Sequence, residues 1–348
     1  MNDAGSLTAI FRRLIETQGP ITLAHYMGEA NARYYASCDP LGAAGDFVTA
    51  PEISQMFGEL MGLWLADIWI RAGRPEPVHY VELGPGRGTL ARDALRAAAR
   101  AGLSPQIHLV EASPPLRAVQ AEALPTAHWH RDLSTLPADG PLLLLANEFL
   151  DALPVRQLVN TGHGWRERMV GWRDGRFAPV AGSRPMDAAV PAARREAAEG
   201  TIIETCPGAA AVVQEAALRL AAQGGAALFI DYGYAQVRDG SSLQAVRAHR
   251  KVDPFLDPGE ADLTALVDFA TLAEVAAAQG ARWLGTVEQG AFLTALGIDA
   301  RAAALARRAA RGAVEAARTR LVAPDQMGAL FKVMGLAAQE WPEAAGFA

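Results

Sequence analysis

The residues best placed to do chemistry are Val81-Glu82-Leu83-Gly84-Pro85-Gly86-Arg87-Gly88-Thr89, where an apolar strand pattern runs into a helical one. Glycine lets a backbone pass close to a ligand, and a helix N-terminus offers unpaired N–H groups. A tight turn needed only for packing would use the same glycines. The spacing helps to separate these possibilities. A dinucleotide fingerprint reads G-x-G-x-x-G, whereas here Gly84, Gly86 and Gly88 alternate and Thr follows at position 89. Glu82 stands two residues before the first glycine. A pyrophosphate would be repelled by that carboxylate, and a ligand carrying sulfonium and ammonium cations would be attracted. Charge therefore favours S-adenosylmethionine over NAD, with Glu82, Gly84, Gly86 and Gly88 as expected cofactor contacts.

The next strand pattern ends in Glu111, where a carboxylate can accept hydrogen bonds from two ribose hydroxyls. NAD enzymes use the same device, so Glu111 points to an adenosine ligand without choosing between the two cofactors. Asp132-Leu133 is placed to bound an adenine, although Asp132 could equally cap a turn. A further cluster, Asn147-Glu148-Phe149-Leu150-Asp151-Ala152-Leu153-Pro154, follows an apolar run. Asp231-Tyr232-Gly233-Tyr234 follows another. In doubly wound sheets the ligand lies beyond the carboxyl ends of the strands, so both clusters are expected at one crevice, with Asn147 as a cofactor contact. His128-Trp129-His130 resembles a metal pair but lacks further ligands at suitable spacing, and is read as core or surface. Trp64 and Trp69 are read as core.

Positioning these groups requires short strands alternating with helices. Strands are expected at Val78–Leu83, Ile107–Glu111, Pro141–Ala146 and Ala226–Asp231, and helices at Thr89–Ala101 and Pro115–Leu124. Such alternation builds a mainly parallel, doubly wound α/β sheet. Before it, Leu7, Ile10, Phe11, Leu14 and Ile15 mark an amphipathic helix closed by Gly19-Pro20, and Ile53–Trp69 reads as a second helix. The proline-rich Arg74–Pro77 divides an N-terminal helical segment, 1–75, from a catalytic domain, 76–348, with insertions at about 155–225 and 233–262. The first insertion reads as an antiparallel meander turning at Gly162-His163-Gly164 and Asp174-Gly175. The second reads as a long loop containing His249, Pro254, Pro258 and Gly259. A helix from Phe269, a strand near Trp283–Val287, an Ala/Arg-rich helix from Ala300 and a strand near Leu330–Gly335 complete the expectation.

Composition sets the outer bounds. The chain has 348 residues, 51% of them hydrophobic, which suffices for one large domain or two modest ones. A net charge of -6 argues against a nucleic-acid partner. The two cysteines, Cys38 and Cys206, exclude a disulfide framework and suggest a reduced, cytoplasmic setting. The opening residues resemble neither a secretory signal nor a transit peptide, and no apolar run is long enough to predict a membrane span.

The chain resembles the MidA family of S-adenosylmethionine-dependent methyltransferases, which includes a mitochondrial protein-arginine methyltransferase that assists respiratory complex I assembly. The matching runs are Gly45-Asp46-Phe47-Val48-Thr49-Ala50-Pro51-Glu52 and onward to Glu59, the Glu82–Gly88 loop, Asn147–Pro154, Asp231-Tyr232-Gly233, Asp257–Thr264 and Gln326-Met327-Gly328. They extend from about Gly19 to Leu336. The family pattern departs at Asn31-Ala32-Arg33, before Tyr34-Tyr35, and at His249-Arg250-Lys251, where a His-rich stretch is reduced.

The resemblance implies a Rossmann-like class I methyltransferase fold with its last strand reversed, N-terminal helices over the cofactor cleft, and insertions that bind substrate. It also implies a protein substrate, an arginine on a subunit of the respiratory NADH:quinone oxidoreductase, and symmetric dimethylation. A guanidinium stays protonated at neutral pH, so a carboxylate must orient it and assist proton loss. The candidate catalytic residues are Glu148, Asp151 and Glu52, with His249 as a further base. Two alternatives stand beside this one: an NAD-linked oxidoreductase and a non-catalytic assembly factor that retains the fold.

Overall fold

Residues 142–147, LLLLAN, have the near-continuous apolar character of a strand covered on both faces, residues 79–83, HYVEL, carry His79 and Glu82 among apolar neighbours, and every residue of both strands is buried. They lie side by side and parallel, with Tyr80 opposite Leu143 and Leu83 opposite Ala146. The computed structural model describes residues 6–37 and 48–347. Cys38 and the Gly45-Asp46-Phe47 opening of the first matching run lie outside the described residues. The contacts divide the chain into two units, one of Met1–Phe47, Asp151–Ala209 and Gln236–Asp268, the other of Val48–Leu150, Ala210–Ala235 and Phe269–Ala348. The N-terminal segment that sequence alone treats as one piece is thus distributed over both.

The second unit is built on a sheet whose strands run in the order Arg282–Glu288, Phe331–Ala337, Gly225–Tyr234, Leu142–Asn147, His79–Leu83, Gln106–Val110, His128–His130. The strands from Gly225–Tyr234 to His128–His130 pair in parallel, whereas Phe331–Ala337 is antiparallel to both of its neighbours. This is the class I methyltransferase sheet with its last strand reversed.

The expected helix Ile53–Trp69 is in fact two, Ala50–Ile53 and Gln55–Arg71. Ser54 is extended, with φ -164° and ψ 139°, and its hydroxyl caps the second helix by accepting the Met56 N–H. Two glycines let Gln55–Arg71 approach the helix Thr89–Ala99 closely. A Cβ on Gly62 would fall 2.0 Å from the Ala94 carbonyl oxygen, and one on Gly58 would fall 2.7 Å from Asp93 Cβ. Trp64 and Trp69 are buried in the core of this unit with Phe57, Leu60, Tyr80 and Leu143. The Ala/Arg-rich stretch also forms two helices, Ile298–Leu305 and Arg311–Val322.

The first unit holds the meander. Its strands Arg156–Asn160, Trp165–Arg173 and Arg176–Pro185 pair antiparallel, and Ile21–Thr22 and Ile202–Thr205 extend the sheet. Asp174 and Gly175 take φ +51° and +77° at the turn, as a two-residue hairpin requires. The region expected as a long loop instead contains a hairpin, Gln244–Arg247 with Arg250–Val252, joined by Asp262–Thr264. Its strands have only three or four residues each, too short for a period-two signal to stand out. The helix Leu23–Ser37 packs its Leu23, Tyr26, Met27 and Ala30 into an apolar cluster with Phe11, Val170 and Phe177.

Candidate active site

The glycine loop leaves the His79–Leu83 strand and enters the Thr89–Ala99 helix. Gly84, Gly86 and Gly88 all have left-handed backbones, with φ +60°, +54° and +78°. Most side chains resist that conformation. A Cβ on Gly84 would meet Phe149 Cδ2 at 2.7 Å, so the Phe149 ring lies directly on the loop. Gly88 caps the helix without a side-chain hydrogen bond, and Glu52 accepts the Thr89 hydroxyl at 2.6 Å one residue further on.

Glu82 does not lie open to a ligand. It is 2% exposed, and its carboxylate accepts the Tyr80 hydroxyl and the Ala91 N–H. Burial outweighs both hydrogen bonds and pushes its pKa up to about 7. Burial, then the neighbouring Glu82, raises the Tyr80 hydroxyl well above its usual range, so Tyr80 remains a donor. Glu111 follows the Gln106–Val110 strand, and its Oε1 accepts the Ser113 N–H at 2.8 Å. Asp132 accepts from the Ser134 N–H at 2.9 Å and caps a short 3-10 turn in which Leu133 is buried. The hydrogen bonds from Ser134 hold the Asp132 carboxyl below its ordinary range.

At the end of the Leu142–Asn147 strand, Asn147 and Glu148 meet. Asn147 Nδ2 donates to Glu148 Oε1 at 3.0 Å, which fixes the orientation of the Asn147 amide because a carboxylate here only accepts. Its Oδ1 is then left buried with no hydrogen-bond partner among the described residues. A buried, unpaired carbonyl is costly, and an ammonium or hydroxyl of a bound cofactor would relieve it. The left-handed glycines and this acceptor fit S-adenosylmethionine: the loop gives close backbone access, and Asn147 gives an acceptor for a cationic group.

Glu148 is itself in the left-handed region, with φ +51°. Its Oε1 accepts the Ala50 N–H at 2.8 Å, and its own N–H donates to the Ile230 carbonyl at 2.8 Å. Asp231, which sequence places at the crevice without a specific task, holds the loop beyond Glu148. Its buried carboxylate accepts the Phe149 N–H at 3.1 Å, the Leu150 N–H at 2.9 Å and the Tyr232 N–H at 3.0 Å. Glu148, Glu52, the glycine loop and Asp231 are therefore joined by short links within one unit.

Asp151 and His249 belong to the other unit. Asp151 is buried, and its carbonyl accepts the Ala265 N–H at 3.0 Å. Tyr35 donates to Asp262 Oδ1 at 2.8 Å. Burial, then Asp262 and Asp151, pushes the Tyr35 hydroxyl well above its usual range. Asn31 stitches this region together: its amide donates to the Ala152 and Leu263 carbonyls at 3.0 and 2.8 Å and accepts the Leu263 N–H at 3.0 Å. His249 is exposed at the hairpin turn, where Ala248 and His249 take φ +48° and +59°.

Of the two histidines noted in the His128-Trp129-His130 run, His130 joins His79 and His108 in a chain across three strands. Asp139 pairs with His79 Nε2 at 3.0 Å, His79 Nδ1 with His108 Nε2 at 3.2 Å, His108 Nδ1 with His130 Nε2 at 3.0 Å, and His130 Nδ1 with the Thr135 hydroxyl at 2.8 Å. One proton arrangement satisfies every link with neutral rings: each Nε2 carries the hydrogen and each Nδ1 accepts. No group of three His, Cys, Asp or Glu suited to a metal ion occurs among the described residues.

Fold and site together define an S-adenosylmethionine-dependent methyltransferase. The chain belongs to the family described as "Putative S-adenosyl-L-methionine-dependent methyltransferase", whose model matches residues 60–287. It is 37% identical to the mouse protein named "Protein arginine methyltransferase NDUFAF7, mitochondrial", with 96% of this chain and 85% of the mouse protein covered. The Xenopus tropicalis protein of the same name is 35% identical, over 99% of this chain and 90% of that one. A crystal structure of a Burkholderia thailandensis protein bound to S-adenosyl-homocysteine superposes with a TM-score of 0.83 at 30% identity, covering 98% of this chain and 94% of that one. The cofactor is S-adenosylmethionine, and the oxidoreductase alternative is not favoured.

The relatives' names also correct the cytoplasmic expectation, because they are mitochondrial proteins. A low cysteine count reports a reducing environment and does not identify the compartment. No described helix is long and apolar enough to cross a membrane.

Proposed function

We propose that this methyltransferase acts on an arginine of a protein partner, and that the partner is a subunit of a respiratory complex whose assembly it assists. The observation that carries the reading is the near-full-length likeness to proteins named as protein arginine methyltransferases. A protein guanidinium matches the acidic side chain that the chain offers at the end of the Leu142–Asn147 strand, Glu148.

S-adenosylmethionine, when bound, supplies an electrophilic methyl group on a sulfonium. The chain's residues do the rest. The left-handed glycine loop and the Asn147 carbonyl would hold the cofactor, and Glu111 would receive its ribose. Leu133 and Asp132 would border its adenine, and the buried Glu82, when ionised, would add negative charge near the loop. Glu148 receives the acceptor. Its strained φ of +51° is enforced by the Asp231 clamp on the following N–H groups and by its own hydrogen bonds. Backbone strain held in place by surrounding bonds often serves a functional geometry. A carboxylate fixed in this way makes charge-assisted hydrogen bonds to a guanidinium, orients one nitrogen and favours loss of its proton. Positioning supplies much of the rate. Glu52, linked to Thr89 in the same unit, is a further candidate carboxylate, and Asp151 and His249, in the other unit, are assigned no step.

The test compares arginine methylation in cells with and without the protein, by mass spectrometry of respiratory complex subunits. Purified protein should then transfer labelled methyl to the subunit identified. Loss of a methylarginine in the deficient cells supports the proposal. An unchanged arginine methylome, with methyl found on another side chain in vitro, overturns it.

A further inference from the structure

We infer that Gln120 is a positioning residue of the cofactor site, holding the glycine loop and the ribose carboxylate in register. The inference rests on the assignment of Glu111 to the ribose. Gln120 lies on the helix Pro114–Ala123 and is fully buried. Its Nε2 donates to the Gly86 carbonyl at 2.7 Å and approaches Glu111 Oε2 at 3.4 Å. Its Oε1 accepts the Trp129 indole N–H at 2.8 Å. The indole nitrogen only donates, and the carbonyl and carboxylate only accept, so the amide has a single satisfactory orientation.

Three segments meet at this one side chain. Gly86 follows the first strand of the parallel run, Glu111 follows the second, and Trp129 lies in the third. The sheet ladder sets the strands, but it does not fix a loop above one strand against a carboxylate above the next. Gln120 supplies that cross-link. The third strand reinforces it, because the Glu111 N–H donates to the His130 carbonyl at 3.0 Å. The Arg117 guanidinium also donates to the Glu111 and His130 carbonyls. With Ser113 N–H on one carboxylate oxygen and Gln120 near the other, Glu111 is aimed rather than free to rotate. No other side chain makes these three contacts. Glutamate lacks the donor and would set a second carboxylate beside Glu111, and methionine leaves the Gly86 carbonyl and the Trp129 N–H unpaired.

The experiment uses titration calorimetry of the full chain with S-adenosylhomocysteine and with its 2′,3′-dideoxy analogue. The wild-type protein should prefer the hydroxylated ligand by about thirtyfold, the scale of hydrogen bonds to a charged group. In Gln120→Met that preference should shrink to a few-fold, because Glu111 is no longer aimed. A merely structural residue would weaken both ligands equally and leave the ratio unchanged, which overturns the inference. Trp129→Phe keeps an aromatic ring and Gln120 but removes the indole donor. It should lower the ratio part-way, and it decides the matter if Gln120→Met does not fold. A wild-type protein indifferent to the hydroxyls removes the ribose assignment itself, a failure distinct from an unchanged ratio in the variants.

Discussion

Glu148 Oε1 accepts the backbone N–H of Ala50 at 2.8 Å, so the carboxylate after the Leu142–Asn147 strand is tied to the first residue of the short helix Ala50–Ile53. Glu52, two residues along that helix, reaches Thr89 at the start of the helix after the glycine loop. A family-matching N-terminal run thereby bridges Glu148 and the helix that follows the glycine loop.

Glu148→Gln should separate binding from turnover. Glutamine retains an oxygen to accept the Ala50 N–H, so the local fold should persist. It loses the charge proposed to orient a guanidinium, at an expected cost of about 2 kcal/mol or roughly thirtyfold in rate. Cofactor affinity should stay within a few-fold. Equal losses in calorimetric affinity and methyl transfer would instead mark Glu148 as a cofactor ligand.

Gly86→Val should abolish cofactor binding with little change in far-UV circular dichroism. Gly86 has φ +54°, and a β-branched residue there is strained by about 1–2 kcal/mol or more. The valine side chain would also intrude where the backbone must approach the ligand. Normal affinity in this variant would show that the loop is only a turn.

Affinity for S-adenosylmethionine should rise with pH through the Glu82 ionisation, which burial places at about 7. A cation favours the ionised carboxylate, so binding below that pH must displace a proton. From pH 6 to pH 8 the gain is about tenfold, by the free energy of one pKa unit per decade. The sign for the apoprotein is the opposite. A carboxyl whose folded pKa is raised contributes stability that is present below its unfolded pKa and lost as pH rises through 7. Glu82→Gln should flatten both slopes, as read by calorimetry and thermal melting across that range. A slope that survives in Glu82→Gln assigns the proton to another group.

The histidine chain predicts sensitivity to acid. Burial, then His79, His130 and His128, depresses the His108 pKa to about 4, with Asp139 opposing. A histidine with a depressed folded pKa contributes stability that is full above its unfolded pKa of about 6.5 and lost as pH falls toward 4. An imidazolium cannot accept, so protonation also breaks a link. His108→Leu should melt lower at pH 7.5, because His79 and His130 lose partners at roughly 1–3 kcal/mol each. It should show less loss than wild type between pH 6.5 and 5. Parallel melting curves for the two proteins would remove the chain from the stability argument.

Much of this protein is legible in its sequence, because local chemistry carries the signal. The apolar run at 142–147 and the strand pattern that ends at Leu83 announce buried parallel strands. The Gly84-x-Gly86-x-Gly88 spacing gives the strand-to-helix turn, and Asp174-Gly175 gives a hairpin. The family resemblance extends the reading to the reversed last strand and to the class of reaction.

Tertiary structure decided matters that depend on which distant groups come together. Sequence gives Glu82 a charge, but only packing buries it against Tyr80 and Ala91 and makes its ionisation conditional. Gln120 reads as an ordinary helical glutamine until Gly86, Glu111 and Trp129 are found around its amide, 34, 9 and 9 residues away. Asp231 becomes an anchor because the parallel neighbour places the Phe149 and Leu150 N–H groups beside it. His249 lies on the exposed turn of a hairpin, which the sequence does not announce because the flanking strands are too short to be recognised by periodicity. Hydrophobic period and turn chemistry are written within a few residues of themselves; the partners of a buried polar group come from segments far apart in the chain, and only the fold brings them within hydrogen-bonding distance.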